Sequence, residues 1–334
     1  MSRASTEQEV RLDVLRDEAE SRAVLYDETF RSLHAEVKGL PAVWLYDARG
    51  SGLYDEITRL PEYYLPRREG EILRARAGAI AARTRARTLV ELGAGSAKNI
   101  RLLLGALDTA GTLERFIPLD VSEETLRASA QAIAAAYPRA SVHAIVGDFE
   151  RDLGTLAGGD RRLIAFLGST IGNLYPDQRA RFLSNLGDAL ARNDAFLLGI
   201  DLVKDPARLE AAYNDSGGVT EAFVRNALTA VNRELDATFD QRRFVYEARW
   251  DSGHEWMDIG LRAREGHTVS IHGLEVEVAF EGGEALRVEI SSKFRREQLE
   301  LELGQAGLGV ESWWTDRAGD FAVALVLRDT VAGR

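Results

Sequence analysis

Residues 89–104, LVELGAGSAKNIRLLL, have the residue types and spacing of a ligand-binding turn. A buried strand is predicted to end at Leu92, Gly93 and Gly95 follow it, and apolar residues return with helical spacing from Ile100. A strand, a glycine turn and a helix N-terminus can cradle a nucleotide-like ligand, because glycine permits a positive φ and a close backbone approach. The same residues also suit a tight strand-to-helix turn that binds nothing, and two glycines do not separate these interpretations.

The spacing of the small residues favours S-adenosylmethionine (SAM) over a dinucleotide. The dinucleotide pattern G-x-G-x-x-G requires a third glycine where this chain has Lys98. What remains is an acidic residue followed by small residues at alternate positions, namely Glu91, Gly93, Gly95 and Ala97. SAM has no pyrophosphate that backbone amides must hold, so this pattern suits it better.

Carboxylates follow two later predicted strands. Asp120 ends the segment LERFIPLD, where an acidic residue of a nucleotide-binding sheet accepts hydrogen bonds from both ribose hydroxyls. Alternatively Asp120 caps the next helix, although Ser122 can take that role. Asp148 and Phe149 follow the third strand, where they either bond the adenine amino group and cover its ring or form a turn.

Aromatic and polar side chains elsewhere in the chain could bind a second small molecule. Segment 41–73 is dense in aromatic residues, including Tyr46 and Tyr63, which either anchor the segment to the core or line a pocket. In the strand ALRVEISS, Glu289 and Ser291 fall on one face because side chains alternate. A carboxylate beside a hydroxyl could bind a ring with N–H groups such as imidazole, or it could form a solvent-facing edge.

The composition limits the classes of partner. The 334 residues have the apolar and charged fractions, 45% and 28%, of an ordinary globular protein. A net charge of −11 argues against nucleic acid or an anionic membrane as the main partner. The lack of cysteine, of a signal pattern and of an apolar run of about 18 residues predicts a cytoplasmic protein. The five histidines form no metal-spaced pair, so no bound metal is expected.

The elements that must position these residues alternate between strand and helix. Strands are predicted at RTLVELG, LERFIPLD, SVHAIVGDF, RRLIAFLGS and DAFLLGIDLV, with helices at about 97–108, 122–136 and 176–191. This alternation predicts a doubly wound, mostly parallel α/β sheet that binds ligands at the carboxyl ends of its strands. A later helix, REQLELELGQAGL, and the strands VESWWTD and FAVALVL complete the sheet of a SAM-dependent methyltransferase, whose last strand is antiparallel.

A run of antiparallel strands interrupts this alternation and indicates an inserted α+β unit. We therefore expect a SAM-binding methyltransferase domain that is split between residues 67–205 and 292–334. Residues 1–66 and 206–291 are expected to form a substrate-recognition domain. Within it, residues 5–38 are charged and helix-prone, which predicts one or two packed helices.

The chain resembles the SAM-dependent histidine Nα-methyltransferase family, which makes hercynine (trimethylhistidine) in ergothioneine synthesis. The resemblance runs from about Trp44 to Val326, and among the stretches that carry it are WLYDARGSGLYDEITRLPEYYLPR, LVELGAGSAKNIRLL, FIPLDVS, GDFE, FLGSTIGNL, LLGIDLVKDPARLEAAYND and VEISSKFR. It implies SAM as the cofactor and up to three methyl transfers to the α-amino nitrogen of L-histidine.

The resemblance also implies roles for individual residues. Asn173 and Tyr213 would hold the amino and carboxylate end of the amino acid, and Tyr46 would lie close to the amino group. Tyr63, Glu289 and Ser291 would surround the imidazole. The SAM site would be formed by Gly93, Gly95, Lys98, Asn99, Asp120, Asp148 and Phe149.

Two positions depart from the family pattern. Family members often carry lysine where this chain has Asn99, and Lys98 stands one residue earlier. A methionine often lines the imidazole site where this chain has Ile259, which leaves tryptophan or tyrosine open as the substrate. Less favoured alternatives are a NAD-dependent oxidoreductase and a SAM-binding protein without catalysis. The expected partner is a small amino acid, with neither nucleic acid nor membrane, and the chain is expected to be a monomer.

Overall fold

A computed structural model describes residues 10–95, 98–156 and 160–329. The strands are, in chain order, β1 (Arg11–Val14), β2 (Thr88–Leu92), β3 (Arg115–Asp120), β4 (Ser141–Val146), β5 (Arg162–Phe166), β6 (Ala195–Asp201), β7 (Phe244–Asp251), β8 (Trp256–Ala263), β9 (His267–Ile271), β10 (Val276–Phe280), β11 (Ala285–Ser292), β12 (Leu308–Thr315) and β13 (Phe321–Arg328). The α-helices are α1 (Glu18–Leu33), α2 (Ala48–Ile57), α3 (Leu65–Thr84), α4 (Ile100–Thr109), α5 (Glu123–Ala136), α6 (Pro176–Ala189), α7 (Pro206–Tyr213), α8 (Val219–Leu235) and α9 (Arg296–Gln305).

The described residues divide into two compact units. The first unit comprises residues 10–16, 65–202 and 294–329, apart from the gaps given above. The second unit comprises Asp17–Tyr64 and Val203–Lys293. None of the helices within the described ranges has both the length and the hydropathy needed to cross a membrane.

The first unit is built on an eight-stranded sheet with the order β1-β4-β3-β2-β5-β6-β13-β12. The strands from β1 to β6 pair in parallel, whereas β13 is antiparallel to both β6 and β12. This arrangement confirms the predicted doubly wound sheet with antiparallel pairing at its end. The strand order reverses between β2 and β5, and ligands bind such sheets at the carboxyl ends of the strands beside the reversal.

The central strands are covered on both faces, which is why they read as continuous apolar runs in the sequence. All residues of β2, β5 and β6 are buried. One side of the sheet packs into a core in which the ring of Phe182 lies within aromatic contact of both Phe166 and Phe196. This core fixes the strands whose ends carry the candidate site residues.

The N-terminal residues differ from the sequence prediction. In residues 10–38, the described part of the helix-prone segment 5–38, there is one α-helix, α1, while Arg11–Val14 form β1 and pair in parallel with β4. Pairing satisfies backbone groups of β4 that would otherwise form an open sheet edge, and this gain outweighs helix propensity. Residues 10–16 therefore belong to the first unit, and the predicted grouping of residues 1–66 in one domain does not hold for them.

The second unit contains the antiparallel strands predicted from the sequence. Strands β11, β8 and β7 form a three-stranded sheet in that order, and β9 and β10 form a separate pair. Its helices α1, α2, α7 and α8 come from both of its chain segments. The register between β11 and β8 shifts between Arg287 and Glu289, which places a β-bulge at Val288.

Candidate active site

The glycine turn after β2 has the backbone conformation that the sequence predicts. Gly93 has φ +67° and Gly95 has φ +39°, a region in which a side chain is strained. The backbone amides of Gly93 and Ala94 both donate to the carbonyl of Leu119, at 2.9 and 3.1 Å, and so hold the turn against β3. Ala97, the last small residue of the motif, lies outside the described residues.

Asp120 joins this turn to the end of β3. Its carboxylate accepts hydrogen bonds from the backbone amides of Gly95, at 3.0 Å, and Ser122, at 2.9 Å. Burial raises the pKa of Asp120 against the effect of these bonds. The hydroxyl of Ser122 bonds to Thr125 Oγ1 rather than to a backbone amide of α5. Asp120 thus positions the glycine turn, and each carboxylate oxygen has a further lone pair for a ligand hydroxyl; its ribose role stays a prediction.

Asp148 and Phe149 lie beyond the end of β4. Asp148 Oδ1 accepts from the backbone amide of Glu150 at 2.8 Å, which is the bonding of a turn aspartate. The ring of Phe149 lies 5.0 Å from that of Phe166 and 6.0 Å from that of Phe182, so it packs against the aromatic core. These contacts fix both residues beyond the carboxyl end of β4, where binding to adenine remains a prediction.

Asn99 and Lys98 differ in their surroundings. The side-chain amide of Asn99 donates to Glu69 Oε2 at 2.8 Å and to the carbonyl of Pro66 at 3.1 Å, whereas Lys98 is exposed. Asn99 therefore holds the start of α4 against α3. A contact of Asn99 or Lys98 with SAM stays a prediction.

Two carboxyl groups near the turn are buried: Glu69, which was not singled out from the sequence, and Glu91, the acidic residue of the predicted motif. Glu69 is 2% exposed, and its Oε1 accepts from the backbone amide of Gly168, just after β5, at 2.7 Å. Burial raises its pKa to about 7. Glu91 lies in β2, and its Oε2 has no hydrogen-bond partner among the residues described. Burial, and next the charges of Asp120 and Glu69, raise the pKa of Glu91 well above its usual value. Glu69 lies on a helix whose packing partners are distant in the chain, so the sequence carries no local signal of its burial.

The donor and acceptor set of the first unit fits SAM. Besides its own carboxylate, SAM carries a sulfonium, an ammonium and two ribose hydroxyls, and carboxyl groups can interact favourably with each of these three kinds of group. Glu69, Glu91 and Asp120 supply such groups around the glycine turn, and the unsatisfied oxygen of Glu91 is a buried acceptor that ordinarily has a partner. The arrangement can therefore bind a cationic nucleoside.

Asn173 ends a short 3-10 helix, Thr170–Asn173, that follows β5. The preceding Ser169 has φ +61°, a strained conformation for a residue with a side chain, and its hydroxyl accepts from the backbone amide of Asp201 at 3.0 Å. This bond ties the end of β5 to the end of β6. Asn173 is half-buried in the first unit, while Tyr213, its predicted partner in substrate binding, belongs to the second.

The second unit contains four of the predicted substrate residues, and contacts link three of them directly. The rings of Tyr63 and Tyr213 meet edge to face, with centroids 5.9 Å apart and an interplanar angle of 90°. The hydroxyl of Tyr213 lies 2.8 Å from Ser291 Oγ. Burial raises the pKa of Tyr63 well above its usual value, and the nearby ionisable groups, among them Tyr213 and Glu289, add to this effect. Tyr63 is therefore a neutral phenol.

Tyr46 lies in an aromatic group of the same unit. Its ring is 5.8 Å from that of Tyr54 and 5.5 Å from that of Phe223, both in edge contacts. Tyr54 and Tyr46 are also among the groups that raise the pKa of Tyr63. Tyr46 and Tyr54 of segment 41–73 therefore pack against each other and against Phe223, which agrees with the prediction that these residues anchor the segment. Tyr46 is also close enough to Tyr63 to contribute to its raised pKa.

The β-bulge at Val288 determines which way Glu289 points. Arg287 pairs with Gly260 and forms an ion pair with Asp258, whereas Glu289 pairs with Ile259 on the opposite face of the sheet. Without the extra residue, Arg287 and Glu289 would share a face. Ser291 lies on the same face as Glu289, as predicted, because it pairs with Met257, two residues before Ile259.

The position opposite the bulge requires glycine. A Cβ at Gly260 would lie 2.4 Å from the carbonyl oxygen of Leu286.

Burial raises the pKa of Glu289 to about 7, while the charge of Lys293 lowers it. The face thus combines a carboxyl group that titrates near neutrality with hydroxyls and tyrosine rings, and it can bind a small polar ring with N–H groups.

Comparisons with known proteins identify the family. A family model described as "Histidine-specific methyltransferase, SAM-dependent" matches residues 25–328. The histidine N-alpha-methyltransferase of Mycolicibacterium smegmatis is 51% identical over 296 residues, which cover 89% of this chain and 92% of that protein. The histidine N-alpha-methyltransferase of Mycobacterium tuberculosis is 48% identical over 301 residues, with coverages of 90% and 94%.

A fungal protein shares part of its length with this chain. Ergothioneine biosynthesis protein 1 of Neurospora crassa is 31% identical over 283 residues, which cover 83% of this chain and 32% of that protein. The family match, over residues 25–328, covers most of both units. The chain therefore belongs to the family of SAM-dependent, histidine-specific methyltransferases.

Proposed function

We propose that this protein transfers methyl groups from SAM to the α-amino nitrogen of L-histidine, up to three times, and so forms hercynine for ergothioneine biosynthesis. The observation that carries the proposal is the 48–51% identity to two histidine N-alpha-methyltransferases over nearly the whole chain. The Neurospora crassa relative, a protein of ergothioneine biosynthesis by name, supports the pathway.

Methyl transfer requires the protein to orient the accepting amine and to allow the protons of that amine to leave. When bound, SAM supplies an activated methyl group and leaves as the thioether S-adenosylhomocysteine. The accepting amine must be neutral and in line with the methyl group at about 3 Å. Conversion of an ammonium into a trimethylammonium releases three protons in all. We assign to Asn173 and Tyr213 the orientation of the amine, and the protons pass to water, either directly or through a nearby tyrosine such as Tyr46 that releases its own phenolic proton as it accepts one.

The raised pKa of Tyr63 supports a role for its ring rather than for its hydroxyl as a base. Burial keeps this phenol neutral at physiological pH. As methyl groups are added, the ammonium loses its N–H donors, so the surrounding residues must stabilise it without accepting hydrogen bonds from it. The faces of tyrosine rings can do so through cation–π attraction. We therefore assign Tyr63 and Tyr213 to the walls of a site that tolerates the methylated product.

Glu289 and Ser291 are assigned to the imidazole. A carboxylate that faces an imidazole N–H leaves a buried charge unpaired if the ligand lacks that group, which disfavours other amino acids. In the first unit, the assigned SAM residues are Gly93, Gly95, Lys98, Asn99, Asp120, Asp148 and Phe149. Glu69 and Glu91 are added to them because of their burial around the same turn.

The alternatives are less well supported. A NAD-dependent oxidoreductase does not fit a chain of a SAM-dependent family. Methylation of tryptophan or tyrosine is the nearest rival, because Ile259 lies directly opposite Glu289 in the sheet. The cytoplasmic location, the monomeric state and the lack of nucleic-acid and membrane partners stay predictions from the sequence.

One experiment tests the proposal and its rivals. The purified protein is incubated with SAM and a mixture of the amino acids, and mass spectrometry detects one to three added methyl groups. Methylated histidine alone is the expected result. Methylated tryptophan or tyrosine would identify that amino acid as the substrate in place of histidine. Binding of SAM without any product would indicate a non-catalytic protein.

A further inference from the structure

Lys293 is a buried cation of the second unit that the substrate roles assigned above do not use. It follows directly after β11, two residues beyond Ser291, and is 3% exposed. Its Nζ donates hydrogen bonds of 2.8 Å to the hydroxyls of both Tyr213 and Ser291. It also lies 4.9 Å from the centroid of the Tyr213 ring. A lysine is seldom so buried unless specific partners hold its charge.

The ammonium restricts how the two hydroxyls can act. It has donors only, so both hydroxyl oxygens must accept from Lys293. The hydroxyls of Tyr213 and Ser291 lie 2.8 Å apart, and one of their two protons forms that bond. The other proton cannot point into this triangle of Lys293, Tyr213 and Ser291, and it is therefore directed outward as a donor.

The same ammonium acts on Glu289. Burial raises the pKa of Glu289 to about 7, and the positive charge of Lys293 opposes that rise. Among the described residues, the titratable groups that face Glu289 include the phenols of Tyr63 and Tyr246, whose own pKa values are raised by burial and by Glu289. Tyr213 lies in the same group, since it also raises the pKa values of these two phenols. At neutral pH phenols with raised pKa values carry no charge, so Lys293 is the cation that favours ionised Glu289.

We propose that Lys293 is a positioning residue for substrate recognition, which leaves the hydroxyl pair of Tyr213 and Ser291 with one outward donor and favours the ionised form of Glu289. The substrate part of this inference rests on the proposed function, since it takes histidine as the ligand of this face. The effect of Lys293 on Glu289 does not depend on the substrate. A donor hydroxyl and an ionised carboxylate on one face together suit the two nitrogens of a neutral imidazole.

The test compares Lys293→Met, which has a similar length without charge, with Lys293→Arg, which retains the charge. An isotope-edited NMR titration follows the side-chain carboxyl of Glu289, and Glu289→Gln assigns its signal. We expect the midpoint to rise by about one pH unit or more in Lys293→Met, because an opposite charge is lost, and to stay near the wild-type value in Lys293→Arg.

Kinetics with histidine supply the second measurement. In Lys293→Met we expect kcat/KM for histidine to fall by about tenfold or more, and the acid limb of its pH profile to move upward with Glu289. In Lys293→Arg the bonds to Tyr213 and Ser291 change while the acid limb stays in place. The affinity for SAM, measured by calorimetry, should be the same in all three proteins. Loss of SAM affinity in step with histidine use would indicate a general structural role and overturn the proposal.

The outcomes separate this inference from the proposed function. An unchanged Glu289 midpoint in Lys293→Met overturns the role of Lys293, whether or not histidine is methylated. A raised midpoint in a protein that does not methylate histidine supports the electrostatic role and rejects the proposed substrate. If Lys293→Met does not fold, Ser291→Ala takes its place: it should reduce histidine use and leave the Glu289 midpoint unchanged, and a shifted midpoint would contradict the role of Lys293.

Discussion

The replacement Glu289→Gln is expected to change activity and stability in opposite directions. It preserves the size of the side chain and removes the charge assigned to imidazole recognition. Hydrogen bonds to charged groups contribute about 1.5–3 kcal/mol, which corresponds to a decrease of about 10- to 150-fold in kcat/KM for histidine. The affinity for SAM should not change, because the residues assigned to SAM belong to the first unit.

The expected gain in stability follows from the pKa of Glu289. Burial raises it from 4.5 to about 7 in the folded protein. Between these values the folded state binds more protons than the unfolded state, so the stability falls as the pH rises. The difference of about 2.5 pH units, at about 1.4 kcal/mol for each unit, amounts to about 3.5 kcal/mol above the folded pKa. Glutamine does not titrate, so Glu289→Gln removes this penalty.

The assay measures histidine methylation with saturating SAM at about pH 8, together with urea unfolding at about pH 8 and pH 4.5. Glu277→Gln is the matched control, because Glu277 is an exposed carboxylate on β10 of the same unit. The reasoning is refuted if Glu289→Gln weakens the binding of SAM as much as the use of histidine. It is equally refuted if the variant is less stable than the wild type at the higher pH.

Three further replacements test other parts of the structure. Asp120→Ala removes the acceptor of two backbone amides at the glycine turn, and calorimetry should show SAM affinity reduced by about tenfold or more, whereas exposed Asp177→Ala should leave it unchanged. Gly260→Ala forces a Cβ against the Leu286 carbonyl, and thermal unfolding should show a loss of about 1–3 kcal/mol together with a higher KM for histidine; wild-type stability would contradict the bulge geometry. Glu69→Gln should flatten the decrease in stability between about pH 4.5 and 7, and urea unfolding that retains the wild-type slope would refute the assignment of that slope to Glu69.

Much of the first unit could be predicted because its signals are local. The central parallel strands are apolar throughout, and their helices begin and end within a few residues of the predicted bounds. The glycine turn was recognisable because Gly93 and Gly95 adopt a backbone conformation that other residues avoid. Asp120 followed from its place at the end of a strand. The antiparallel run of the second unit was equally visible in the alternation of its side chains.

The features that the sequence left undetermined depend on distant neighbours. The short strand β1 exists because the edge of β4 offers backbone partners, and helix propensity alone did not show this. The carboxyl groups of Glu69 and Glu91 are buried by packing, so their raised pKa values could not be inferred from their places in the chain.

The sequence by itself thus determined the sheet, the glycine turn and the residue types available for SAM and histidine. Only the tertiary structure decided which charged groups lie beside Ser291 and Tyr213, the residues assigned to the substrate. The bulge at Val288 places Glu289 on the face opposite Arg287. Lys293 is buried, and its ammonium donates to the hydroxyls of Tyr213 and Ser291. The physical reason is that strand register and burial depend on contacts between residues far apart in the chain. Hydrophobic periodicity and glycine geometry, in contrast, depend only on residues that are close together in the sequence.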